Sequence, residues 1–228
     1  TCLARYDIEK DKKYSWMENY FLSSLNSDLL KDKYLLDIGC FTGGRLSAWY
    51  ENYALKKVYG IDINPIFKIA ADEFTLEKKI NAEFKTGIGE ELPYNNDYFD
   101  FVASTDTFEH VQNLEKSIDE CFRVLKPGGM LLAVFPQFLQ PLESHLNLVT
   151  KLPCLHWFFD SKKISEKYFE ILKERGKSAK WYSGEKYSLE TWEKLPSLNG
   201  TSIRKFEKIL KKNNWSSIKW VKKPILTD

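Results

Sequence analysis

Residues 35–44 read LLDIGCFTGG. A short apolar run ends on an aspartate and then breaks into glycines. The run from Tyr34 to Ile38 predicts a buried strand. The glycines after it predict a sharp turn into a helix, where backbone N–H groups can approach a ligand closely. Two features of the stretch are unusual. Asp37 places a carboxylate at the strand end, and Phe41 stands where a third glycine is expected.

The same rhythm continues outward. Arg45–Tyr53 carries Leu46, Trp49, Tyr50 and Tyr53 on one helical side. Lys57–Ile63 (KVYGIDI) is a second strand. Asn64 and Pro65 then supply an N-cap and a first-turn proline for a helix running through Leu76. Ala82–Ile88 and Phe99–Ser104 are the third and fourth strands. Asn113 caps a helix with Leu114, Ile118, Cys121, Phe122 and Leu125 inward, which stops at the breakers Lys126, Pro127, Gly128 and Gly129. Met130–Phe135 is the fifth strand. Strands alternating with helices mean a doubly wound, mostly parallel sheet in the α/β class, with ligands beyond the C-terminal ends of its strands.

Flanking segments complete the layout. Tyr14–Leu30 is expected to form one amphipathic helix, with Trp16, Met17, Tyr20, Phe21, Leu25 and Leu29 at helical spacing. The rhythm breaks from Pro136 to Gly200, a segment too long for a simple loop. It is read as a cap inserted after the fifth strand, and its aromatics (Trp157, Phe158, Phe159, Trp181, Tyr182 and Trp192) are expected to form the cap's own core. Ser202–Asn213 is an amphipathic helix and Ser216–Val221 a strand. The core is therefore expected at 1–135 and 201–228, with the cap at 136–200.

The chain has 228 residues, 43% hydrophobic and 29% charged, as in ordinary globular proteins. A formal charge of +2 does not call for nucleic acid as a partner. Cys2, Cys40, Cys121 and Cys154 show no metal-ligand spacing and are expected to be reduced thiols. No apolar run is long enough to span a bilayer. A cytoplasmic protein with no nucleic-acid and no membrane partner is expected. Oligomeric state is left open.

A glycine turn alone serves phosphates, dinucleotides and other adenosine compounds. Asp37 discriminates among them. A carboxylate there would repel a pyrophosphate but suits a ligand with positive charge and N–H donors, as in S-adenosylmethionine. Asp62, twenty-five residues later at the end of the second strand, can accept both ribose hydroxyls. At this point the chain resembles the class I S-adenosylmethionine-dependent methyltransferases. The stretches that carry the resemblance are LLDIGCFTGG, YGIDINP, GEELPYNNDYFDFV, STDTFEHV and RVLKPGGMLLAVFP. The resemblance implies a Rossmann-like methyltransferase fold and S-adenosyl-L-methionine as cofactor, with S-adenosyl-L-homocysteine as product. It implies that Asp37, Gly39, Cys40 and Gly43 line the methionine end. Asp62 would hold the ribose, with Ile63 against the adenine face. Gly89 and Glu90 would lie by the adenine edge, and Ser104 and Thr105 near the sulfur. Two residues depart from the pattern. Phe41 replaces the middle glycine and is expected to avoid positive φ. Ile88 replaces an aspartate that bonds the adenine amine, a loss of about 1 kcal/mol.

Methyl transfer from a sulfonium depends mainly on alignment of the two reactants. The Asn/Asp-Pro-Pro-aromatic motif of enzymes acting on DNA-base amines is missing after the fourth strand, so a small-molecule acceptor is expected, methylated at oxygen. His110 is the first candidate for a general base, and His145 of the cap the second. Three alternatives stand beside this reading. Asp106, Glu109 and His110 could hold Mg²⁺ or Mn²⁺ in a metal-assisted O-methyltransferase. A non-catalytic module could bind the same nucleoside to regulate a partner. A nicotinamide dehydrogenase is disfavoured by Asp37.

Overall fold

The computed structural model describes residues 2–22, 26–136, 138, 141, 146, 149–174 and 199–220. Strands β1 (Tyr34–Ile38), β2 (Lys57–Asp62), β3 (Ala82–Thr86), β4 (Phe99–Thr105) and β5 (Leu125–Val134) form one sheet in the order β3-β2-β1-β4-β5. Every pairing is parallel. Helices α2 (Gly44–Asn52) and α3 (Pro65–Glu77) make the crossovers on one side of β1, and α4 (Leu114–Val124) joins β4 to β5. The order reverses between β1 and β4. With right-handed crossovers this opens a crevice at their C-terminal ends.

The local chemistry follows the sequence. Asn64 accepts a hydrogen bond from the Ile66 N–H and Pro65 opens α3. The inner side of α2 buries Leu46, Trp49 and the following Tyr53 against Leu35, Val58, Phe84 and Phe101 of the sheet.

Several expectations are corrected. Residues 14–30 do not form one helix. Met17–Leu22 is a π-helical turn and Ser27–Leu30 a separate 3₁₀ turn. Asn26 accepts from the Asp28 N–H and starts the second turn afresh, so Leu30 is buried and Leu29 exposed. Leu25 lies outside the described residues. Phe122 faces solvent although α4 buries Leu114, Ile118 and Cys121. The Lys126–Gly129 breaker lies within β5, where the register passes from Phe99↔Leu125 to Phe101↔Met130. The extra residues loop out with Gly128 at φ +79. Ser216–Trp220 is not a strand, and Val221 lies outside the described residues. Phe41 has φ +52, not the negative value expected.

The sequence reading passed over helix α1 (Cys2–Lys10), which packs on α2 and α3. Its anchor is Glu9, 1% exposed. One Glu9 oxygen accepts from the Ser15 hydroxyl (2.8 Å), the Trp16 N–H (3.0 Å) and the Trp49 indole (2.9 Å). The other lies 3.2 Å from Arg45 Nε on α2. Trp16 covers the guanidinium at 4.8 Å.

By its internal contacts the chain divides into two compact units, Thr1–Thr107 with Glu115–Val134, and Phe108–Leu114 with Phe135–Asp228. The second unit includes α5 (Leu155–Phe158), α6 (Ser161–Glu174) and α7 (Ile203–Leu210). Ser202 caps α7 by accepting from the Lys205 N–H. A small core forms from Leu146, Val149, Ile164 and Tyr168. Trp157, Phe158 and Phe159, expected in such a core, are exposed. Helix α5 is a single turn ended by an extended Phe159, and Leu155 takes its inward place. Trp181, Tyr182, Trp192 and His145 lie outside the described residues.

Removing one partner of a buried ion pair leaves the other charge uncompensated. Glu9→Ala is expected to cost about 3–5 kcal/mol of stability, and Glu9→Gln clearly less because the amide oxygen still accepts. Urea unfolding of both variants, followed by Trp fluorescence and far-UV circular dichroism, checks the order.

Candidate active site

The C-terminal ends of β1, β2 and β4 carry the candidate residues. Asp37 is buried on β1, and its Oδ1 has no hydrogen-bond partner among the described residues. Ser104, paired in register with Ile38, is also buried, and its Oγ likewise has none. Buried polar atoms without partners are costly, and most proteins leave few of them. Two such atoms at neighbouring strand ends are what a polar ligand would satisfy. Burial lifts the Asp37 carboxyl from 3.8 to about 7, against the opposing pull of Arg45 and Arg5.

The loop between β1 and α2 is fixed by its backbone. Gly39 has φ +76, and its N–H and that of Cys40 both donate to the Ile61 carbonyl, at 2.8 and 3.2 Å. A Cβ on Gly39 would run into the Thr107 side chain. Gly43, φ +72, is the N-cap of α2 and packs against Phe84 and Ala71. The Cys40 thiol is buried in the core, so only its backbone remains available to a ligand.

Asp62 bridges two elements. Its Oδ2 accepts from the Phe41 N–H and its Oδ1 from the Asn64 N–H, both at 2.9 Å. A carboxylate has further lone pairs for other donors. Burial raises its pKa and these bonds oppose the rise. Ile63 and Ile88 are exposed, Glu90 is buried, and Gly89 packs by Ile38 and Ser117.

Sequence reasoning missed two arginines. Arg5 on α1 is half-buried and lies 4.4 Å from the centre of the Phe41 ring. Burial is the main cause lowering its pKa, while Asp37, Asp106 and Asp62 raise it. Phe41 also packs on Phe67, ring centres 4.0 Å apart. Arg45 donates to the Thr105 hydroxyl at the end of β4. A cation in the first turn of α2, where the helix dipole disfavours it, was the available signal.

The second unit holds His110, whose Nε2 is 3.6 Å from a carboxylate oxygen of the buried Glu109. Asn199 braces this turn. Its side-chain amide donates to the Phe108 and Val111 carbonyls, at 2.6 and 2.9 Å, and its N–H donates to the Glu109 carbonyl at 2.9 Å. Among the described residues no group of three His, Cys, Asp or Glu side chains is placed to hold a metal ion, Asp106, Glu109 and His110 included.

Residues 36–133 match the family described as Methyltransferase domain. Over these residues the chain is similar to the class I S-adenosylmethionine-dependent methyltransferases. The chain is 35% identical over 123 residues to norajmaline N-methyltransferase of Rauvolfia serpentina, covering 51% of this chain and 41% of that one. It is 33% identical over 127 residues to the mitochondrial ubiquinone biosynthesis O-methyltransferase of Rattus norvegicus, covering 50% and 34%. The chain thus spans less than half the length of these relatives. A solved structure from Galdieria sulphuraria, assigned as a sarcosine dimethylglycine methyltransferase, shares the fold at 20% identity. Its TM-score is 0.51, with 72% of this chain and 71% of that one covered. S-adenosylmethionine is the cofactor of this family, and the buried Asp37 and Ser104 oxygens fit its polar groups.

A carboxyl raised on folding holds a proton that the unfolded chain releases between pH 4 and 7. Stability therefore falls as pH rises through that window. Asp37→Asn removes this dependence. Urea midpoints at both ends of the window are expected to show wild type losing a few kcal/mol more than the variant.

Proposed function

We propose that this chain catalyses methyl transfer from S-adenosylmethionine to a small-molecule acceptor, at oxygen. The observation that carries the reading is the buried Asp37 carboxyl, with Oδ1 unpartnered, beside a glycine turn. The cofactor supplies an activated methyl on a sulfonium. Asp37, with the Gly39–Gly43 backbone, holds its cationic methionine end. Asp62 accepts the ribose hydroxyls with the lone pairs left by Phe41 and Asn64. The exposed Ile63 covers one adenine face, Gly89 and Glu90 lie at the adenine edge, and Ser104 and Thr105 lie near the sulfur.

His110 takes the proton from the acceptor hydroxyl. The nearby Glu109 carboxylate supports this role, because it steadies the imidazolium that results. An acceptor that must lose a proton favours oxygen over a neutral amine, which can attack unaided. The relatives named above act at nitrogen and at oxygen by their names, which is consistent with one cofactor site serving different acceptors. Residues 136–200, His145 among them, supply acceptor recognition.

Calorimetry with S-adenosylmethionine and S-adenosylhomocysteine tests the cofactor site. Both are expected to bind, and Asp62→Ala to weaken both while the fold survives. Binding of the cation ionises Asp37, so at pH 7 S-adenosylmethionine is expected to release protons, read from the heat in buffers of different ionisation enthalpy. Absence of binding removes the proposal. Binding without turnover on a broad acceptor panel favours the regulatory module instead.

His110→Ala is expected to lower kcat on a hydroxyl acceptor by about 10²- to 10⁴-fold with unchanged cofactor affinity. Chelator treatment is expected to leave kcat unchanged.

A further inference from the structure

Residues 151–163 read KLPCLHWFFDSKK, and nothing in the cofactor site uses them. Leu152 is 64% exposed, Trp157 50%, Phe158 79% and Phe159 58%. Four large apolar side chains exposed within eight residues are more than a scatter of single ones, and such patches mark contact surfaces. The backbone presents them outward. Cys154 is left-handed at φ 61, α5 makes one turn, and Phe159 leaves it extended.

The charges around the patch are of one dominant sign. Lys151 stands exposed on one flank. On the other, Lys162 and Lys163 occupy the first turn of α6, which holds no acidic residue. The helix dipole makes lysine unfavourable there. Their placement costs α6 stability and adds to the positive potential of its N-terminus. Asp160, whose Oδ1 accepts from the Lys162 and Lys163 N–H groups at 3.0 and 3.3 Å, offsets one of the three lysines and leaves the frame net positive. Helix α3 offers a contrast. Ile66, Ile69 and Leu76 are exposed there too, but the Lys68–Asp72 pair, Glu73 and Glu77 give that face mixed charge.

We propose that Leu152, Trp157, Phe158 and Phe159, framed by Lys151, Lys162 and Lys163, form a docking surface for an anionic lipid bilayer. Aromatic rings belong at headgroup depth, where one side is apolar and the other wet. Lysine stems lie along apolar surface while their amines reach lipid phosphates. The contact is peripheral, since no described helix is long and apolar enough to cross a membrane. It replaces the sequence-based expectation of no membrane partner. It does not depend on the methyl-transfer reading.

The test is co-sedimentation of the full chain with phosphatidylcholine vesicles, with and without phosphatidylglycerol. Wild type is expected to bind the phosphatidylglycerol vesicles, and to release them as salt rises. The triple variant W157A/F158A/F159A is expected to lose at least about tenfold in partitioning to both vesicle types. K162Q/K163Q is expected to lose about tenfold on phosphatidylglycerol vesicles alone. It alters only exposed side chains, so it carries the test if the triple variant does not fold. The control I69A/L76A is expected to bind as wild type. Equal, weak binding of wild type to both vesicle types overturns the proposal. So does a wild-type dimer that becomes a monomer in the triple variant, which would make the patch a contact between copies. Loss of binding in I69A/L76A would also overturn it, by moving the contact to α3.

Discussion

A buried ion pair between Glu9 and Arg45 fixes where the N-terminal helix, the glycine turn and the end of β4 meet. Glu9 gathers three donors on one oxygen, from Ser15, Trp16 and Trp49. Arg45 in turn reaches Thr105. Neither residue would be stable alone in so dry a place. Together they turn a surface helix into part of the sheet's end. Helix α1 carries Arg5, so its position also sets the electrostatics around Asp37, Asp62 and Phe41.

That cluster has a consistent chemistry. Three strand ends contribute a buried carboxyl, a carboxylate already tied to the turn, and a buried hydroxyl. Asp37 and Ser104 keep oxygens without partners among the described residues, a cost the fold carries at the crevice of a doubly wound sheet. Asp62 holds the turn through the Phe41 N–H and retains lone pairs for more. The arrangement fits a ligand that is cationic at one end and offers hydroxyls at the other.

The parallel sheet was legible because each strand is a short apolar run between strong punctuation, such as Asn64 and Pro65. The aspartates of the candidate site could be picked out because they stand at the ends of those runs. Four things were not. Glu9 and Arg45 look like surface residues in a sequence, and only tertiary packing buries them together. Asn26 starts a new turn inside a stretch whose apolar spacing suggested one helix, so local capping overrode periodicity. The aromatics of residues 157–159 were placed in a core by composition, but a one-turn helix has too little inner face to bury them. The Lys126–Gly129 breaker was recognised, and its accommodation inside β5 depended on pairing with β4 that no local pattern encodes.

Phe41 holds the last consequence. A non-glycine residue at φ +52 carries roughly 1 kcal/mol of strain, and the Arg5 and Phe67 contacts offset it. A glycine there would leave the turn free to sample many shapes. A phenylalanine packed between a cation and a second ring has fewer shapes open to it than a glycine, so the turn is restricted before any ligand arrives. The entropy of ordering it is met during folding, and association proceeds onto a preorganised surface.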